Sequence, residues 1–150
     1  MDPRVKTTVA GLTQQFDLSQ KLCALRAELQ PIGKKYKALV GELAKAKQRA
    51  GENPIKEQVE NLQGQLETLA NPVALRFGNP PELDALDKAK KLFDTIQAVD
   101  AAPTMAQQTA VTDLERDMSV VTERWKAIPP EVATLNTQLA SAGLEPLKFP

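Results

Sequence analysis

Residues 18–46 read LSQKLCALRAELQPIGKKYKALVGELAKA. Apolar side chains fall at Leu18, Leu22, Leu25, Leu29, Ile32, Tyr36, Leu39, Leu43 and Ala46, in steps of four and three that alternate without a slip. A strand turns successive side chains to opposite faces and has no use for this rhythm. A helix does, because residues three and four apart share a face. The stretch is a heptad seam on a long helix. Upstream, Val5, Val9, Leu12 and Phe16 form a second stripe one position out of phase, expected to broaden the apolar face at the N-terminal end.

Three further seams follow. Ile55, Val59, Leu62, Leu66 and Leu69 make one; Ala85, Ala89, Leu92, Ile96 and Val99, flanked by Leu86 and Phe93, make another. The last runs Val111, Leu114, Met118, Val121, Trp125, Ile128, Val132, Leu135 and Leu139. Capping chemistry marks the boundaries. Asn53-Pro54 offers a side-chain acceptor followed by proline at the first helical position. Asn79 with Glu82, and Thr104 with Gln107, have capping-box spacing. Gly143 followed by Pro146 reads as a C-cap and a stop. Helices are therefore predicted near 9–50, 54–70, 80–101 and 104–142. Pro31 and Pro129-Pro130 lie inside the first and last of them. Each interior proline removes a hydrogen bond and costs about 3 kcal/mol, yet the heptad phase survives both interruptions, which favours kinked continuous helices over six separate ones. Short connections, except 71–79, make sequential helices antiparallel neighbours. The predicted fold is all-α: an antiparallel four-helix bundle over 9–150, preceded by a junction segment at 1–8.

A chain of 150 residues suffices for one continuous core, and 42% hydrophobic with 25% charged residues fits an ordinary globular protein. No run of about 18 apolar residues is present to span a membrane. Met1-Asp2-Pro3-Arg4 lacks the apolar stretch of a signal peptide, leaving open an intracellular protein or a segment cut from a larger one. Nineteen basic and nineteen acidic residues balance overall. Residues 1–50 nonetheless hold ten basic against four acidic, and both later thirds are net acidic. A basic first helix facing acidic neighbours follows from this split.

The chemical inventory is thin. The chain has no histidine, hence neither the commonest general base nor the commonest metal ligand. Ser19, Ser119 and Ser141 have no histidine partner, and no glycine-rich phosphate loop occurs. Asp113, Glu115 and Asp117 could in principle work as paired acids, but alternate along the polar side of the fourth helix as a solvated face would. Lys34, Lys35 and Lys37 around Tyr36, with Lys45, Lys47 and Arg49, could suggest a nucleic-acid patch. Tyr36 sits on the seam, however, and the cations are expected to be a solvated face paired with acidic neighbours. Trp125 is expected in the core, Cys23 as a buried inert thiol that can form no internal disulfide, and Met105 and Met118 as core filler. No catalytic, metal or cofactor site is expected.

Two stretches carry a resemblance. Asp2-Pro3-Arg4-Val5 followed by Leu12-Thr13-Gln14-Gln15-Phe16-Asp17-Leu18-Ser19 resembles the junction after the propeller region of bacterial sortilin-like proteins, which carry BNR repeats and a "glycosyl hydrolase" label. Pro103-Thr104-Met105-Ala106-Gln107-Gln108 through Leu114, Trp125, Leu135-Asn136 and Ala142-Gly143-Leu144 is similar to the helical tail closing those chains. Pro31 and Pro129-Pro130 depart from the smoother helices of that family. The resemblance implies the C-terminal helical domain of a larger secreted or periplasmic protein. Any ligand chemistry would lie on the propellers, and the partner would be the parent chain's propeller or Ig-like region. The expected function is thus a non-enzymatic structural or protein-interaction bundle, needing no cofactor and binding no nucleic acid. The alternative is a bundle holding a lipid or other apolar ligand between its helices. Seams this regular could also pair between copies as a homo-oligomer.

Overall fold

A computed structural model describes residues 7–70 and 83–149. Within them the chain forms four helices and no strand: α1 (Val9–Ala50), α2 (Ile55–Glu67), α3 (Asp84–Gln97) and α4 (Met105–Ser141). The all-α, four-helix reading holds. The predicted Asn79–Glu82 cap and residue Val5 lie outside the described residues.

The long helices run through their prolines, with Pro31 inside α1 and Pro129 and Pro130 inside α4. Helix caps follow the sequence signals. The Ile55 N–H donates to Asn53 Oδ1 at 3.0 Å. At α4, Gln107 N–H donates to Thr104 Oγ1 at 3.2 Å while Thr104 N–H donates to Gln107 Oε1 at 2.8 Å, the reciprocal capping box. Gly143, at φ +72°, closes α4 in a conformation that costs glycine little. Its N–H reaches Ala140 O at 3.0 Å and the Leu144 N–H reaches Leu139 O at 2.8 Å, the paired bonds of a Schellman motif.

Three boundaries differ from prediction, the first being the start of α3, at Asp84 rather than near 80. Helix α2 stops at Glu67 because Thr68 folds its hydroxyl onto Gln65 O at 2.7 Å and the next amides make tighter three-residue turns. An isolated antiparallel bridge then joins Ala70 to Leu83. Helix α3 stops at Gln97, so Val99 lies past its end and is exposed rather than part of the seam.

The chain divides into two compact units. The first takes residues up to 30 and 85–120, hence the early part of α1, α3 and the early part of α4. Its core is built from Leu22, Leu25, Leu29, Ala85, Ala89, Ile96, Val111 and Leu114. The second takes residues 31–84 and 121–150. There Tyr36, Leu39, Leu43, Val59 and Leu66 of α1 and α2 are buried, with Trp125, Val132, Leu135 and Leu139 of α4. Each large aliphatic side chain removed from water contributes about 1.5–3 kcal/mol.

Most of the α1 seam is buried as predicted, with Leu18 and Ile32 half-buried, but the second stripe is not. Val9 and Phe16 are 82% and 61% exposed. The buried side of early α1 continues the seam's own phase backward through Ser19, Gln15 and Gly11 instead. These residues serve close approach and hydrogen bonding rather than apolar burial. A Cβ on Gly11 would come within 2.9 Å of the Ala102 Cβ, so only glycine lets the 98–104 connection lie so near α1. Gln15 Nε2 donates to Ile96 O at 2.7 Å, a carbonyl that the end of α3 leaves without a helical donor, and to Val99 O at 2.8 Å, which also accepts from the Ala101 N–H. Ser19 Oγ donates to Gln15 O at 2.8 Å and accepts from Gln97 Nε2 at 2.5 Å.

Tyr36 is fully enclosed and its hydroxyl has no hydrogen-bond partner. Burial, with a smaller push from Glu67, raises the phenol to about 12. Against about 10 in the unfolded chain, the folded state holds the proton longer, so stability falls as pH rises from about 10 to 12 by roughly 2–3 kcal/mol. Tyr36 is the sole tyrosine, so its absorbance change reads this group alone. Tyr36→Phe is expected to leave neutral-pH stability unchanged or slightly higher and to flatten the alkaline loss. A phenolate appearing near pH 10 in a chain still helical by circular dichroism would refute the burial argument.

Candidate functional site

The three acids of α4 each meet a cation within the first unit. Arg116 Nη2 lies 2.6 Å from Asp113, Lys21 Nζ 2.8 Å from Glu115 and Lys88 Nζ 3.3 Å from Asp117. Each sits in its own ion pair. Among the described residues, no group of three or more His, Cys, Asp or Glu is placed to hold a metal ion. No described helix is long and apolar enough to cross a membrane.

The basic run of α1 divides as its spacing suggests. Lys34, Lys35 and Lys37 are exposed around the buried Tyr36. Lys47 pairs with Glu60 of α2 at 2.9 Å, Lys45 with Glu42 at 2.8 Å and Arg49 with Glu145 at 2.5 Å. Lys47 holds the Glu60 carboxyl below its ordinary range by hydrogen bonding.

Two expectations about soft side chains are corrected. Cys23 is exposed, because it lies on the extension of the Val9–Phe16 stripe, which faces out. Met105, the first residue of α4, is 76% exposed, since the helix begins before its seam reaches the core at Val111. Trp125 is buried as predicted and meets the Phe149 ring at 6.2 Å between centroids, tilted by 53°.

The corrected residues gather on one unit. Among the described residues the large exposed apolar side chains are Val9, Phe16, Val99, Met105 and Val120, all in the first unit. On α1 they sit in an uncharged face. At 100° per residue, Leu12, Cys23, Phe16, Val9, Ala27, Gln20, Thr13 and Ala24 fill roughly 120° of arc, and none carries a charge. Asp17 and Glu28 border that arc on one side. Sequence reasoning found this stripe and assigned it the wrong side.

The first unit also carries a cleft of about 600 Å³ between α3 and α4. Leu92 and Leu114 line it together with Lys88, Lys91, Arg116, Asp113 and Asp117. In the second unit the segment after α4 lies along α1 and α4. Leu147 is buried, its N–H donates to Asn136 Oδ1 at 2.7 Å and its carbonyl accepts from Asn136 Nδ2 at 3.2 Å. The Lys148 N–H donates to Glu42 Oε2 at 3.2 Å. Sequence reasoning gave Asn136 and residues 144–149 no such role. The available signal was the apolar pair Leu147 and Phe149, two apart beyond a helix stop.

Neither family models, nor curated proteins, nor solved structures give a match to this chain.

Proposed function

We propose that the chain is a non-catalytic helical module for protein interaction, docking a partner on the outward face of early α1. The observation that carries this reading is the uncharged stripe with Val9, Phe16 and Cys23 exposed on it. A solvated helix face usually carries charge, and contiguous exposed apolar surface marks contact sites. The partner that fits is an amphipathic helix whose apolar stripe lies on this face and whose basic edge meets Asp17 and Glu28. The sortilin-like resemblance supports a parent chain as the source of that partner, with this segment as its C-terminal helical domain.

A synthetic amphipathic helix with leucines at a and d and flanking lysines is the probe. The full chain is expected to bind it, and Phe16→Glu to weaken binding about tenfold or more, the equivalent of losing one large apolar contact. Because Phe16 is exposed, the melting temperature should stay within about 2 °C, as for a surface substitution. Equal affinity in the variant refutes the docking face. A dimer of the full chain that dissociates in Phe16→Glu assigns the face to a second copy instead.

A second reading, an apolar ligand held between helices, is supported by the leucine-lined cleft between α3 and α4. Its size is in the range of small-molecule pockets. Native mass spectrometry of the purified chain tests it: co-purified ligand supports it, and mass of the bare polypeptide counts against it.

A further inference from the structure

The segment after α4 touches the second unit through features that any extended peptide of the right pattern could offer. Asn136 reads the main chain of residue 147 from both sides, taking its N–H and donating to its carbonyl. Glu42 takes the next amide. Three side chains add selectivity at alternate positions. Glu145 meets Arg49 at 2.5 Å, Leu147 is buried, and Phe149 lies against Trp125. Paired main-chain bonds with pockets for alternate side chains are how extended peptides are recognised.

We propose that this groove, formed by Glu42, Arg49, Trp125 and Asn136, is a peptide-binding site whose resident occupant is the chain's own Glu145–Phe149 segment. The partner it fits is an extended peptide with an acidic residue, an aliphatic residue two further on and an aromatic residue two beyond that.

The resident segment holds the groove incompletely, which makes it displaceable. Glu145 bonds Arg49 through Nη1 alone, while Arg49 Nε and Nη2 are enclosed without a partner. The other Glu145 oxygen lies 3.7 Å from Lys148 Nζ. The carboxylate is thus divided between two cations, and a peptide without that lysine would leave both oxygens to Arg49, the bidentate arrangement guanidinium prefers. Gly143 supplies the pivot, since its left-handed backbone already turns the segment out of α4.

The test uses the full chain carrying Leu147→Ser, which removes the buried anchor and leaves the groove in place. Trp125 is the sole tryptophan, so its emission reports occupancy. The variant is expected to show red-shifted emission and stronger acrylamide quenching with its helical circular dichroism intact. A synthetic peptide GLEPLKFP, the sequence of residues 143–150, should reverse both changes saturably. The same peptide with glutamine at the lysine position should bind more tightly. Adding Asn136→Ala to the Leu147→Ser chain should weaken peptide binding about tenfold or more, as expected for two part-buried main-chain bonds left unmade. No reversal in a chain that is still helical overturns the proposal. A Leu147→Ser chain that dimerises assigns the groove to a second copy's segment and overturns the peptide-partner reading. Should Leu147→Ser unfold, hydrogen exchange of the wild-type chain decides. A Leu147 amide exchanging about a hundredfold faster than the α4 core amides supports a segment that leaves the groove on its own. Equal rates overturn it.

Discussion

Trp125→Ala is expected to cost about 3–5 kcal/mol, the range for removing a large aromatic from a packed core. The indole is buried in the second unit, at a seam position between Val121 and Ile128, and carries the Phe149 ring on one side. Truncation loses the transferred area, leaves a void that neighbouring aliphatics fill only in part, and frees the C-terminal segment from its aromatic contact. For a chain of this length each kcal/mol moves the melting temperature by roughly 2–4 °C, so a drop of about 10 °C or more should appear in far-ultraviolet circular dichroism. A loss under about 1 kcal/mol would show that Trp125 is peripheral to the fold.

The second large effect comes from a polar residue. Gln15→Leu keeps the approximate size of the side chain but removes the side-chain amide that donates to Ile96 O and Val99 O. The Ile96 carbonyl lies in the last turn of α3, where no helical donor follows, and Val99 lies just past it. Val99 O keeps the Ala101 N–H at 3.0 Å, so the loss falls on the buried Ile96 O, and leaving one buried acceptor unsatisfied costs about 1–3 kcal/mol. Gln15→Glu sharpens the test. At neutral pH it sets a carboxylate against two carbonyl oxygens and should be worse than leucine in thermal denaturation. If Gln15→Leu is neutral, the hydrogen-bonded network from Gln15 through Ser19 to Gln97 is incidental to stability.

These two residues show what was legible in the sequence. Trp125 could be placed because its burial follows from hydrophobic period alone, and the same period carried α1 and α4 correctly through Pro31, Pro129 and Pro130. Gln15 could not. In residues 9–19 the apolar pattern and the buried pattern differ, because the inward positions are given to Gly11, Gln15 and Ser19. Their reasons for burial are close backbone approach and hydrogen bonding. Hydrophobicity follows only apolar atoms and so chose Val9 and Phe16, and that choice in turn placed Cys23 inside. The stripe is better read as an outward face. The groove around Asn136 escaped for a related reason: its residues are drawn from α1, α4 and the final segment, and no local spacing connects Glu42 or Arg49 with Leu147.

The chain has one tyrosine and one tryptophan, and both Tyr36 and Trp125 belong to the second unit. Near-ultraviolet and fluorescence signals above 295 nm are therefore silent about the first unit, whereas far-ultraviolet circular dichroism weighs all four helices. Comparing the two in one denaturant titration measures cooperativity directly. Coincident midpoints mean that the unfolding of one half is carried into the other along α1 and α4. Separate midpoints mean that one half can melt alone, with Pro31 the break on α1.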